Sequence, residues 1–98
     1  MVRIMTEEDD CYFEGRTIRF SDSAFDHMRY YKMREYVVCD MLKESFECPK
    51  RKESKGTPFR KTSRRVCANR DNETFSIVLD PYEYEGRSLW SVSHLKPI

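Results

Sequence analysis

"FSDSAFDHMRYYKMREYVVCDMLKES", residues 20 to 45, carries the clearest period in the chain. Ala24, Phe25, Met28 and Tyr31 recur at three- and four-residue intervals, which puts them on one helical face. Ser21 or Asp22 supplies a side-chain oxygen to cap the free amides ahead of that face, so the spacing predicts a helix over 22 to 32. The period lapses near Lys32 to Arg34 and resumes with Tyr36, Val37, Met41 and Leu42. Glu35 stands where the helix dipole favours an acid, and a second helix is expected over 35 to 45. The two form an αα pair.

On both sides of this pair the period changes to two. Residues 11 to 20 read CYF, EG, RTIRF, two β-prone runs around Glu14 and Gly15, where glycine can take the positive φ of a two-residue hairpin. After the pair, residues 62 to 68, 74 to 79 and 88 to 95 are strand-like, with turns expected over 69 to 72 and 81 to 86. Alternation turns Val66 and Ala68, then Phe75, Ile77 and Leu79, then Trp90 and Val92 inward. Short turns between consecutive strands favour an antiparallel meander with the helices on one face. The expected fold is α+β in two layers, an αα hairpin packed on a twisted antiparallel sheet in the order ββααβββ. Its core should be Phe20, Phe25, Met28, Val37, Met41, Leu42, Phe75, Ile77, Leu79, Trp90 and Val92.

Ninety-eight residues suffice for one modest core, so 11 to 98 reads as a single domain. Residues 1 to 10 end in Glu7, Glu8, Asp9 and Asp10 and read as a flexible, solvated N-terminal segment. Charged residues reach 36%, yet six Phe, six Tyr and one Trp supply bulky core material that a disordered chain would lack. No apolar run approaches the roughly 20 residues of a membrane helix, and the first ten residues lack a signal-peptide core. The chain therefore reads as soluble and cytoplasmic. Cys11, Cys39, Cys48 and Cys67 lack the tight pairs of zinc sites, so free thiols are expected in a reducing cytosol, with no metal and no cofactor.

The net charge of +1 hides an asymmetry. Residues 1 to 49 hold seven basic against eleven acidic residues, and residues 71 to 98 hold two against five. Residues 50 to 70 hold nine basic residues against the single acid Glu53. That local field attracts phosphate or an acidic partner. Within it, Pro49, Gly56 and Pro58 interrupt both regular periods, so residues 46 to 60 read as a basic loop. Lys50, Arg51, Lys52, Lys55, Arg60 and Lys61 are the candidate binding residues. A solvated charge run is the plain alternative. In the functional reading the cations meet RNA phosphates, with Phe59, Tyr82 or Tyr84 available to stack on a base, or they meet an acidic protein segment. "DPYEYEG", residues 80 to 86, sets its tyrosines among three acids that repel phosphate, and reads first as a hairpin connection.

The helical stretch resembles the RelE/ParE-like toxin superfamily, and within it short uncharacterised relatives. Their first helix reads approximately F-[ST]-x-H-A-x-x-R-M, and their second follows a G-[IV]-S-x-x-x-[IV] step. Here the corresponding residues are Phe20, Ser21, Asp22, Ser23, Ala24, Phe25, Asp26, His27 and Met28, then Lys32, Met33, Arg34, Glu35, Tyr36 and Val37. Ser23 stands where those relatives often carry histidine, and His27 where they often carry arginine. The resemblance implies a RelE-like fold and a ribonuclease-type toxin component, with RNA, the ribosome or an acidic antitoxin-like protein as partner. The competing reading is a small protein-interaction module without catalytic activity.

Cleavage of RNA by its own 2′-hydroxyl needs a base, an acid and cations around the extra phosphate charge. His27, Arg64, Arg65 and His94 are the residues of suitable type. Alternation sends Arg64 and Arg65 to opposite faces of their strand, with Arg65 on the helix-free face.

Overall fold

The computed structural model describes residues 11 to 49 and 63 to 98. The chain runs β1 (Tyr12–Phe13), β2 (Arg16–Phe20), α1 (Asp22–Tyr30), α2 (Glu35–Lys43), β3 (Phe46–Glu47), β4 (Arg64–Arg70), β5 (Glu73–Tyr84) and β6 (Arg87–Pro97). Three hairpins share one device. Glu14 and Gly15 (φ 48° and 77°), Asp71 and Asn72 (50° and 65°), and Glu85 and Gly86 (49° and 76°) each put two successive residues at positive φ. Such turns match the right-handed twist of the strands they join.

Each helix boundary has a local cause. The Ser21 side chain accepts the Ala24 amide proton at 3.1 Å and caps α1. At the other end Lys32 takes φ 57°, the Met33 amide donates to the Met28 carbonyl at 2.7 Å, and the Lys32 amide donates to that of Arg29 at 3.2 Å. This left-handed stop reverses the chain and buries Met33. Arg34 precedes α2 without a side-chain cap.

The strand order across the sheet is β1-β2-β6-β5-β4-β3. β2 and β6 are parallel, with Ile18 opposite Trp90 and Phe20 opposite Val92, while the other neighbours are antiparallel. This corrects the expected two-layer, RelE-like fold of order ββααβββ with an αα hairpin on an antiparallel sheet: the described residues are mostly sheet (52%), a six-stranded mixed half-barrel with two short helices. Short turns constrain only strands that follow one another. β2 meets β6 after the chain has passed through both helices and three other strands, the long crossover a parallel pair requires. Two further boundaries move. The start of the expected basic loop forms β3, which pairs with β4 through Phe46 and Cys67. The expected turn over 81 to 86 shrinks to Glu85 and Gly86, because β5 continues through Pro81. Proline is tolerated there since, among the described residues, β4 begins opposite Leu79 and Pro81 has a partner strand only in β6.

The helices fill the inside of the curl. Ala24, Met28, Val38, Met41 and Leu42 pack against Val66, Ile77, Leu79, Val92 and Leu95, all 5% exposed or less. Burying a side chain of this kind contributes about 1.5–3 kcal/mol. Phe25, expected in the core, is 37% exposed and lies tilted beside Phe20, with ring centroids 5.7 Å apart. It sits one residue past Ala24, so the helix turns it to the rim while Ala24 and Met28 face the sheet. α2 touches both β1 and β4, and Arg64 on β4 pairs with Glu14 in the β1–β2 turn, although β5, β6 and β2 lie between them in the sheet. Only a strongly curled sheet brings those two together.

Two disulfides hold the edges. Cys11 joins Cys39 of α2 with Cα atoms 5.7 Å apart, and Cys48 joins Cys67 of β4 at 4.9 Å. The expected free thiols are therefore absent among the described residues. The partners are 28 and 19 residues apart, and such spacings say nothing about which cysteines meet in space. Among the described residues no helix is long and apolar enough to cross a membrane.

Candidate nucleic-acid interface

Strand alternation gives the sheet two faces. On β5, Phe75, Ile77 and Leu79 turn to the helices, so Ser76, Val78, Asp80, Tyr82 and Tyr84 turn away. The register carries this outer face across the neighbours: Leu89 and Arg87 on β6, Thr17 and Arg19 on β2, and Tyr12 on β1. On the other side it carries Arg65, Cys67 and Phe46.

The outer face is not uniform. Cys67, Ser76, Val78 and Leu89 are buried, whereas the hairpin end is open and residues 81 to 88 are all exposed. Tyr82 and Tyr84 are each 43% exposed there, with near-parallel rings 6.4 Å apart between centroids. The Arg19 guanidinium lies over the Tyr84 ring at 4.7 Å from its centroid. Tyr12 is 44% exposed on the same face. A face that displays rings and a guanidinium plane offers stacking surfaces to any unpaired base.

Its charge fits the same use. Period two sends Glu83 to the opposite side of β5, opposite Ser88. By register the described strand residues of the outer face include Arg19, Arg65, Arg87 and Lys96, against the single acid Asp80, which accepts a hydrogen bond from the Ser63 hydroxyl. The Arg65 Nε donates to the Ser76 hydroxyl at 2.9 Å, which fixes its stem on this face.

The four residues singled out for chemistry divide into three places. His27 and His94 come together, with ring centroids 5.8 Å apart. They meet where β2 leaves the sheet. The Ser21 amide makes the last contact of that edge, to the Val92 carbonyl at 3.0 Å, and three residues further along β6 the Leu95 amide donates to His27 Nδ1 at 3.2 Å. His27 thus completes an edge that β2 no longer covers. Its Nδ1 is engaged as acceptor, so the neutral ring carries its proton on Nε2. Arg65 lies on the outer face, and Arg64 lies on the helix side, bound to Glu14. Both halves of that division follow from the period-two reading of the strand. No three of the four residues share a site. Lys50, Arg51, Lys52, Lys55, Arg60 and Lys61 lie outside the described residues, as does the segment 1 to 10.

Sequence reasoning missed Arg19 and undervalued Tyr82 and Tyr84. The signal for Arg19 was present, since RTIRF with Ile18 inward places Arg19 outward. Among the described residues no group of three or more His, Cys, Asp or Glu is placed to hold a metal ion. In comparisons with protein-family models, curated proteins and solved structures, none matches the chain.

Proposed function

We propose that this chain binds single-stranded RNA across the outer sheet face at the β5–β6 hairpin. One observation carries the reading: Tyr82 and Tyr84 emerge together on the side where Arg19 lies, while Glu83 emerges on the other. Exposed rings stack on bases regardless of sequence, and arginines nearby neutralise phosphates. The basic run between Lys50 and Lys61 adds charge to the chain that suits the same polyanion.

The ribonuclease-type toxin reading, with the ribosome or an acidic antitoxin-like protein as further partners, rests on the RelE/ParE-like motif around α1. In it, His27 and His94 are the pair to which acid and base roles fall, because they are the two described groups of that type that meet. Binding does not depend on that step.

The disulfides set a condition on location. A reducing cytosol does not keep two disulfides, so a cytoplasmic site of action goes with the disulfide-tolerant interior found in hyperthermophiles. Outside such cells the same covalent frame favours the second reading, a protein-interaction module in an oxidising compartment that uses the tyrosine face as its contact.

The test is fluorescence anisotropy with a labelled single-stranded RNA and a duplex of the same sequence, over a series of salt concentrations. Tighter binding to the single strand, weakening steeply with salt and weakened by Arg19→Ala, supports the proposal. Equal binding to both overturns single-strand recognition by stacking, and absent binding to both at low salt removes RNA and leaves the interaction module.

A further inference from the structure

We propose a second binding site, on the helix side of the sheet at the mouth of the curl, where Arg16, Arg64 and Trp90 hold a small oxyanion: a carboxylate or a phosphate group. It is separate from the tyrosine face and does not rest on RNA binding.

The guanidinium of Arg64 is half used. Its Nη2 donates to Glu14 Oε1, while its Nε is buried with no partner among the described residues. These two nitrogens form the side-on edge of the guanidinium, two parallel donors spaced for the two oxygens of one carboxylate or phosphate. Glu14 takes one prong and leaves the other.

The register puts a second orphan on the same face, since Arg64 stands opposite Leu79 and Trp90 opposite Pro81. Trp90 Nε1 is also buried without a partner among the described residues, on a residue only 7% exposed. An indole nitrogen can only donate, so what it lacks is an acceptor. The Arg16 guanidinium lies over the Trp90 ring at 4.7 Å from its centroid. Arg16 and Glu14 flank Gly15 in a single turn, so the cation on Trp90 and the acid on Arg64 are two residues apart in the chain. That one turn therefore contacts both of the side chains that carry an orphan donor.

Buried donors left unpaired are costly, and here two of them accompany two guanidinium groups and one carboxylate. The ligand that satisfies this set is an acceptor with at least two oxygens and a negative charge. Entry is open, because the Arg64 and Glu14 side chains are 41% and 47% exposed. Glu14 then acts as a resident stand-in that a ligand oxyanion displaces or joins.

The chain has one tryptophan, so its indole N–H gives a single resonance in a nitrogen-edited proton NMR spectrum. The experiment titrates the full chain with inorganic phosphate and, separately, with acetate, chloride holding ionic strength constant. The Trp90 indole and Arg64 Nε signals should shift together and saturate. Arg64→Lys, which keeps the charge and loses the fork, should weaken binding by about tenfold or more. Glu14→Gln, which removes the competing carboxylate, should strengthen it. A response to phosphate alone identifies a phosphate-bearing ligand, and one to acetate alone a carboxylate. Absence of any shift with either anion at concentrations on the order of tens of millimolar overturns the proposal. So does a shift that Arg64→Lys and Glu14→Gln both leave unchanged.

Discussion

The two faces of β5 are made by the same twelve residues and have opposite chemistry. Toward the helices, Phe75, Ile77 and Leu79 are at most 3% exposed and sit in the core. Away from them, the strand ends in two tyrosines 43% exposed beside an arginine. Period two therefore separates what holds the fold from what meets a partner, residue by residue along one strand. A substitution on one face should alter stability and leave binding, and a neighbour on the other face should do the reverse.

The sharpest break comes from Leu79→Ala, which empties a fully buried position on the helix face. It should cost about 2–5 kcal/mol in urea unfolding. Next come the covalent ties. Reducing either disulfide should cost about 2–4 kcal/mol, read as a fall in the denaturant midpoint of the Cys11→Ser/Cys39→Ser or Cys48→Ser/Cys67→Ser protein.

On the outer face the scale moves from stability to affinity. Tyr82→Ala and Tyr84→Ala should each weaken single-stranded RNA binding by about 1–3 kcal/mol per stacked base. Because both rings are exposed, the urea midpoint should stay close to that of the unmodified chain. If instead these variants unfold readily, the outer tyrosines belong to the fold and the division of faces fails.

Between the faces, at the edge of β6, His27→Ala leaves the Leu95 amide without its acceptor and should cost about 1–3 kcal/mol. Thermal unfolding of that variant beside His94→Ala distinguishes the edge contact from the ring contact, since only His27 carries the hydrogen bond to Leu95. The smallest effect is a gain. Lys32→Gly relieves a lysine held at φ 57° and should stabilise the chain by about 0.5–1 kcal/mol in thermal or urea unfolding.

Much of the local structure was legible in the sequence. A cap at Ser21 or Asp22, which the fold assigns to Ser21, a break over Lys32 to Arg34, the Glu14–Gly15 turn and the inward set on β4, β5 and β6 follow from spacing and turn chemistry. The sheet was legible only up to neighbouring strands. Nothing in Ile18 or Phe20 announces Trp90 and Val92 as parallel partners, because that pairing joins segments some seventy residues apart. The disulfides were hidden for the same reason.

The outer face was obscured by one residue. Pro81 reads as a turn former, and reading residues 81 to 86 as a turn removes the alternation that sorts Tyr82 and Tyr84 from Glu83. Once β5 is seen to run on along β6, the same seven letters that argue against phosphate become a tyrosine face with Glu83 turned away and Asp80 bound to the Ser63 hydroxyl.

Titration of the isotopically labelled chain with a short oligouridine, followed by amide and side-chain NMR, puts the division of faces to the test. Shifts confined to Tyr82, Tyr84, Arg19 and their outer-face neighbours, with Ile77 and Leu79 unmoved, are the predicted result. Shifts centred on α1 and α2, or none at all under low salt, would contradict it.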